Sequence, residues 1–210
     1  VKRLIEKINE TFKENRGYYV FVLVLFCIGI VIGTYTVKYM SASDKEDLTS
    51  YFTTFTNNIC NNDINYKGLL LNVVKKNLYL IIPIIICAFT FIGIPVILIV
   101  DFIKGFTLGY TFTFLLTTFE GKGFLLALSS SIIQNLIYIP CIMVLSVIAL
   151  QLSVEKFKKR FFKGHINRNL DPKPLVNIMI LIAVFFVAAI IIETYISPSI
   201  IKFVVCKLYS

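Results

Sequence analysis

A chain of 210 residues that is 57% hydrophobic, only 16% charged and has a mean hydropathy of +0.81 is too apolar for a soluble domain of its size. Its formal net charge of +9 comes largely from basic residues gathered in short segments. Together these features exclude a soluble enzyme or binding module and require a bilayer as the solvent.

Residues 1–17 place Leu4, Ile5, Ile8 and Phe12 at helical spacing among Arg3, Glu6, Lys7, Glu10 and Lys13, which predicts an amphipathic helix on the cytoplasmic surface. The run 18–37 carries no charge between Arg16 and Lys38 and is long enough to cross a bilayer. It is too long for a signal peptide, and no small-residue cleavage site follows it. Residues 38–77 form an external segment with two apolar stripes, first Leu48, Tyr51, Phe52, Phe55 and Ile59, then Leu69, Leu70, Val73 and Val74. Two interfacial helices are expected there, able either to cap the bundle or to receive another protein.

The second span is expected at 78–100, bent at Gly93 and Pro95. A third, shorter run at 102–119 either spans or re-enters. The fourth, 124–153, exceeds the hydrocarbon thickness and predicts tilt or a kink at Pro140. A basic connection at 154–174 follows, in which Lys156, Lys158, Lys159, Arg160 and Lys163 alternate with Phe157, Phe161 and Phe162. Tethered between two spans, this segment suits anionic membrane lipid and not nucleic acid. The fifth span, 175–196, holds a single acid, Glu193. The fold class is therefore an all-α membrane protein, a bundle of five transmembrane helices with interfacial amphipathic helices. The bias of Lys and Arg places the N-terminus in the cytoplasm and the C-terminus outside.

Catalysis inside a membrane needs a nucleophile with a base, or a metal with His and carboxylate ligands. The one histidine, His165, falls in the basic connection, and no H-E-x-x-H, G-x-S-x-G or P-loop pattern occurs. The five cysteines lack C-x-x-C spacing, so neither a metal nor a cofactor is expected. Cys60 and Cys206 fall on the same side, but nothing in the sequence brings them together, and no disulfide is expected.

The polar groups that remain are candidates for helix packing or partner binding. Asp101 and Lys104, three apart, share a helix face and are expected to neutralise one another at the inner interface. Ser131, Asn135 and Tyr138 form a stripe on the fourth span, with Gln134 beside it, and read as interhelical glue or, alternatively, as a polar path. Glu193 has no basic neighbour in sequence before Lys202, so its partner must come from elsewhere in the assembly. Two G-x-x-x-G motifs, Gly29 with Gly33 and Gly105 with Gly109, permit close helix contacts, either internal or within a homo-oligomer.

Four segments carry a family resemblance: G-I-V-I-G at 29–33, G-I-P-V-I-L-I-V-D-F-I-K-G-F-T-L-G-Y at 93–110, Q-N-L-I-Y-I-P at 134–140 and I-E-T-Y-I-S-P at 192–198. In this order the chain resembles the stage II sporulation protein M family of endospore-forming bacteria, from residue 18 to residue 198. The resemblance implies a non-enzymatic membrane organiser of a septal peptidoglycan-degrading complex in engulfment, with stage II sporulation proteins D and P as partners. A small permease or transporter subunit is the alternative, motivated by the proline-broken and short apolar runs.

Overall fold

The computed structural model describes residues 16–61, 64–88, 90, 93–161 and 172–209. Among them every regular element is helical: α1 (Arg16–Lys38), α2 (Ala42–Asn61), α3 (Tyr66–Ala88), α4 (Gly93–Thr118), α5 (Glu120–Ala127), α6 (Ile133–Phe161), α7 (Pro172–Ile191) and α8 (Ser197–Tyr209). Two π-helical turns, Leu128–Ile132 and Ile192–Ile196, join α5 to α6 and α7 to α8. Five stretches are long and apolar enough to cross a membrane: Arg16–Lys38, Tyr66–Ala88, Gly93–Thr118, Asn135–Lys158 and Ile180–Cys206.

α6 is the central post. In its apolar window 61% of residues are buried, against 17–33% in the other four, so the remaining helices pack around it and turn their outer faces to lipid. The core runs along Tyr138, Cys141, Ile142, Leu145 and Ile148 of α6, against Val22 of α1, Ile84 of α3, Ile97 of α4 and Phe186 of α7. Residues such as Phe21, Val24 and Val31 on α1, and Val184 and Val187 on α7, are exposed. In water they would be a liability, whereas in hydrocarbon they are the solvated surface.

Local chemistry sets the helix ends. α2 starts at a reciprocal cap, in which the Ser41 hydroxyl accepts the Asp44 N–H (3.2 Å) and donates to the Asp44 carboxylate (2.6 Å). At the start of α3 the Asn65 side chain accepts the Gly68 N–H (3.1 Å). Gly93 begins α4 because a Cβ there would run into the Cys87 carbonyl, so only glycine lets α3 and α4 meet this closely. Ser153 on α6 donates to the Thr90 carbonyl (2.7 Å) and ties the α3–α4 turn to the post.

The helix boundaries depart from the sequence expectations. The chain breaks between Ala88 and Gly93, and Asp101 and Lys104 lie within α4 instead of bounding two runs. Charges usually mark the ends of spans, but these two find polar surroundings inside the bundle. With 26 residues α4 is full length, so the re-entrant alternative for 102–119 falls away. Pro95 sits in the first turn of α4, where its missing N–H has no intrahelical role, and does not bend a span. Of the two expected interfacial helices only the first exists as such, as α2; the second stripe is the opening half of α3. The long fourth run is relieved by the π turn Leu128–Ile132, upstream of Pro140, which lies inside α6. The last apolar stretch, Ile180–Cys206, reaches past the expected end at 196. The N-terminal amphipathic segment and most of the basic connection fall outside the described residues.

Candidate functional site

The depth of the site follows from how α1 and α4 meet. Gly29 and Gly33 of α1 pack directly against the backbone of α4 at Phe102, Phe106 and Tyr110, while Gly105 and Gly109 of α4 pack against α1 at Phe26 and Ile30. The two glycine motifs are thus each other's partners within one chain and are not left for a homo-oligomer. Just beyond them Thr113 donates to Thr34 (3.1 Å). Gly29 is about 17 Å and about 12 Å from the two ends of the uncharged run 18–37. Since Gly105 packs at that level, the α4 residues around it lie near the middle of the bilayer.

There the bundle encloses a cavity of about 140 Å³. It is lined by Lys76 and Asn77 of α3, Lys104, Thr107 and Thr111 of α4, Ser131 of the first π turn, Asn135 and Tyr138 of α6, and Glu193 of the second. Asn77 is its hub. The amide nitrogen lies 2.9 Å from the Val73 carbonyl, 3.1 Å from the Tyr138 hydroxyl and 3.2 Å from Glu193 Oε2. Lys76 Nζ approaches Glu193 Oε1 at 3.7 Å. Lys104 Nζ stands over the Tyr138 ring, 5.6 Å from its centroid, a cation–π arrangement that gains from desolvation. The Tyr138 ring in turn packs on Phe186 at 5.2 Å.

Both π turns bring side chains to this cavity. A π turn widens the helix by one residue and frees backbone positions, which is why such turns recur where helices must re-aim side chains. Ser131 and Glu193 come from these widened turns, and Asn135 donates to the Ser131 carbonyl (2.7 Å). Carrying two lysines against one carboxylate, the site can lock four helices in register and can hold water or a small anion. Among the described residues no group of three or more His, Cys, Asp and Glu side chains gathers as for a metal.

Asp101 and Lys104 do not neutralise one another at an interface. Asp101 is 1% exposed and accepts a hydrogen bond from Ser146 of α6 (2.7 Å), with its second oxygen unpartnered. Lys104 faces Tyr138 instead. Glu193 needs no partner from outside the chain, because α3 supplies Lys76 and Asn77.

At the end of the bundle opposite the basic connection, α2 lies across the helix ends. Its Phe52 packs on Phe119 (4.9 Å), and Leu48 and Phe52 cover Val37, Phe114, Leu115 and Ala127. A Cys60–Cys206 disulfide joins α2 to α8, with the two Cα atoms 5.8 Å apart. The expectation of no disulfide is therefore wrong: α8 carries the last crossing on past the second π turn to the level of α2, a proximity that 146 residues of separation hide from sequence inspection. Tyr66 reinforces the clasp by stacking on Tyr195 (5.5 Å) and meeting Ser199 (3.4 Å). Tyr51 (74%) and Phe55 (44%) remain exposed on α2.

Of the residues singled out from the sequence, the fold brings Lys104, Ser131, Asn135, Tyr138 and Glu193 together around one cavity. Sequence reasoning missed Lys76, Asn77, Thr107, Thr111 and Ser146. A signal exists in the three- and four-residue spacing of Val73, Asn77, Ile81 and Ile84 along one face of a helix that begins at Tyr66. The Gln134 side chain lies outside the described residues, as do the Lys159 side chain and all of Lys163. Lys156, Lys158 and Arg160 are exposed on the last turns of α6.

No curated protein and no solved structure matches the chain. The model of one protein family, stage II sporulation protein M, matches residues 22–198, from the first buried residue of α1 through both π turns to the start of α8. The match covers every element that builds the cavity, and the chain belongs to the stage II sporulation protein M family.

Proposed function

We propose that this multi-pass membrane protein is a non-enzymatic scaffold that gathers stage II sporulation proteins D and P, the wall-cleaving partners associated with its family, at the septal membrane during engulfment. In this reading the N-terminus is cytoplasmic. The basic residues Lys156, Lys158, Lys159, Arg160 and Lys163 meet anionic lipid of the inner leaflet. The clasped end faces outward, toward the wall. The single observation that carries the reading is that clasp: α2 is fixed across the bundle by the Cys60–Cys206 bond and by Phe52, yet keeps Tyr51 and Phe55 exposed. Rigid exposed aromatics of this kind anchor protein partners at little cost in side-chain entropy.

Co-purification from sporulating cells tests the proposal. Both wall hydrolases are expected with the intact chain, and much less of them with Tyr51→Ser/Phe55→Ser. Recovery of neither, with or without prior crosslinking, ends the scaffold reading. The polar cavity favours a second reading as a small permease, since irregular helices line substrate paths in many transporters. Solute flux into reconstituted vesicles that disappears with Asn135→Leu or Glu193→Gln would promote it.

A further inference from the structure

α3 is the least buried of the five membrane-crossing helices, with 17% of its apolar window covered. Its inward stripe is Val73, Asn77, Ile84 and Ala88. The opposite stripe, Leu71, Lys75, Leu78, Tyr79, Ile82 and Ile86, is exposed along its whole length, and Tyr79 at 84% is the most exposed large apolar side chain on the described surface. Lys75 stands within that stripe, one turn from its start at Leu71. It lies one residue from Lys76, in the charged layer that the glycine contacts of α1 and α4 fix near mid-membrane. From the ends of α3 it is about 14 Å and about 20 Å away, so reaching along the helix toward the headgroups shortens the distance without closing it.

A lysine on the lipid face at this depth costs several kcal/mol unless a counter-charge meets it. Lys76, though 63% exposed, already has Glu193. Lys75 has no hydrogen-bond or ion-pair partner among the described residues. We infer that the Leu71–Lys75–Tyr79–Ile82–Ile86 face of α3 is the docking seam for a transmembrane helix of another protein that carries an Asp or Glu at mid-membrane. The apolar residues supply the packing, and Lys75 selects the carboxylate.

Charge argues against a second copy in this seam. The carboxylates that the described membrane-crossing helices carry at this depth, Asp101 and Glu193, are 1% and 8% exposed and already engaged with Ser146 and with Lys76 and Asn77. Pairing α3 with α3 about a two-fold axis would set Lys75 near Lys75. The inference deepens the scaffold reading, to which it adds the class of helix recognised.

The test uses the full chain, fluorescently labelled at its C-terminus and reconstituted in vesicles, with acceptor-labelled polyleucine peptides of spanning length. One peptide has a central Asp and the other has Leu there. Energy transfer to the Asp peptide is expected to saturate at an about tenfold lower peptide-to-lipid ratio than for the Leu peptide. Lys75→Leu should abolish the difference, while the Cys60–Cys206 bond and the thermal midpoint stay unchanged. Equal transfer to both peptides overturns the inference without needing any variant. Asp selectivity that survives Lys75→Leu, or chain-to-chain transfer that the Asp peptide cannot displace, also overturns it. The hydrolase co-purification is independent of this result, so either reading can fail alone.

Discussion

Replacing Gly29 or Gly105 by alanine tests the knitting of α1 to α4 most directly. A methyl carbon on Gly29 would lie 2.9 Å from the Phe106 nitrogen and closer still to the Phe102 carbonyl, and one on Gly105 would press on the Phe26 carbonyl. Ordinary carbon contacts are about 3.5–4.0 Å. The opposing atoms are backbone and cannot rotate aside, so the two helices must part by on the order of 1 Å, which forfeits a quarter to a half of each dispersion contact along the seam. Each single substitution should therefore cost about 2 kcal/mol, within the usual range for overpacking. Because one displacement relieves both clashes, Gly29→Ala/Gly105→Ala should cost clearly less than the sum of the singles. Unfolding in mixed detergent measures the energies. Oxidative crosslinking of a Thr34→Cys/Thr113→Cys pair, next to the 3.1 Å hydroxyl contact, reports the separation. Single variants within about 0.5 kcal/mol of the parent, or a strictly additive double, would refute the reasoning.

Glu193→Gln keeps a hydrogen-bonding group for Asn77 but leaves Lys76 and Lys104 without a carboxylate at the cavity; a loss of about 2 kcal/mol is expected, discounted for the exposure of Lys76. Adding Lys104→Met should recover part of it in thermal unfolding, and a double variant no more stable than the single would show that charge balance is not what Glu193 provides. For the clasp, thiol-specific mass tagging of the denatured chain should count three free cysteines, Cys27, Cys87 and Cys141, and five after reduction; five without reduction would remove it. The same reagents fix sidedness: Tyr51→Cys should react from outside intact cells, and Gly164→Cys only once the inner face is opened.

The number of membrane-crossing helices was legible because hydrocarbon imposes it: each stretch must be about 20 residues long and apolar, and the described residues offer five. Their boundaries were less so. Asp101 and Lys104 look like the edges of two short runs, since a charge normally stops a span, and only the burial of Asp101 against Ser146 reveals that the helix continues. Ser131 of the first π turn and Asn135 and Tyr138 of α6, which share a stripe in the sequence, line the same cavity. Asn77, the residue that joins that stripe to Glu193, is hidden by its place at the end of the external segment 38–77, just before the run expected to cross. The disulfide was illegible in principle, because a pairing across 146 residues depends on where α8 comes to rest, and no local pattern encodes that.

The Cys60–Cys206 bond has a consequence for biogenesis. One cysteine closes the helix after the first crossing, and the other stands near the end of α8, so their sulfurs can meet only after all five crossings have been inserted and the tail delivered to the same compartment. A truncated or inverted chain would leave Cys60 reduced. The oxidised fraction is thus a covalent record of completed insertion, readable as a mobility shift on an unreduced gel.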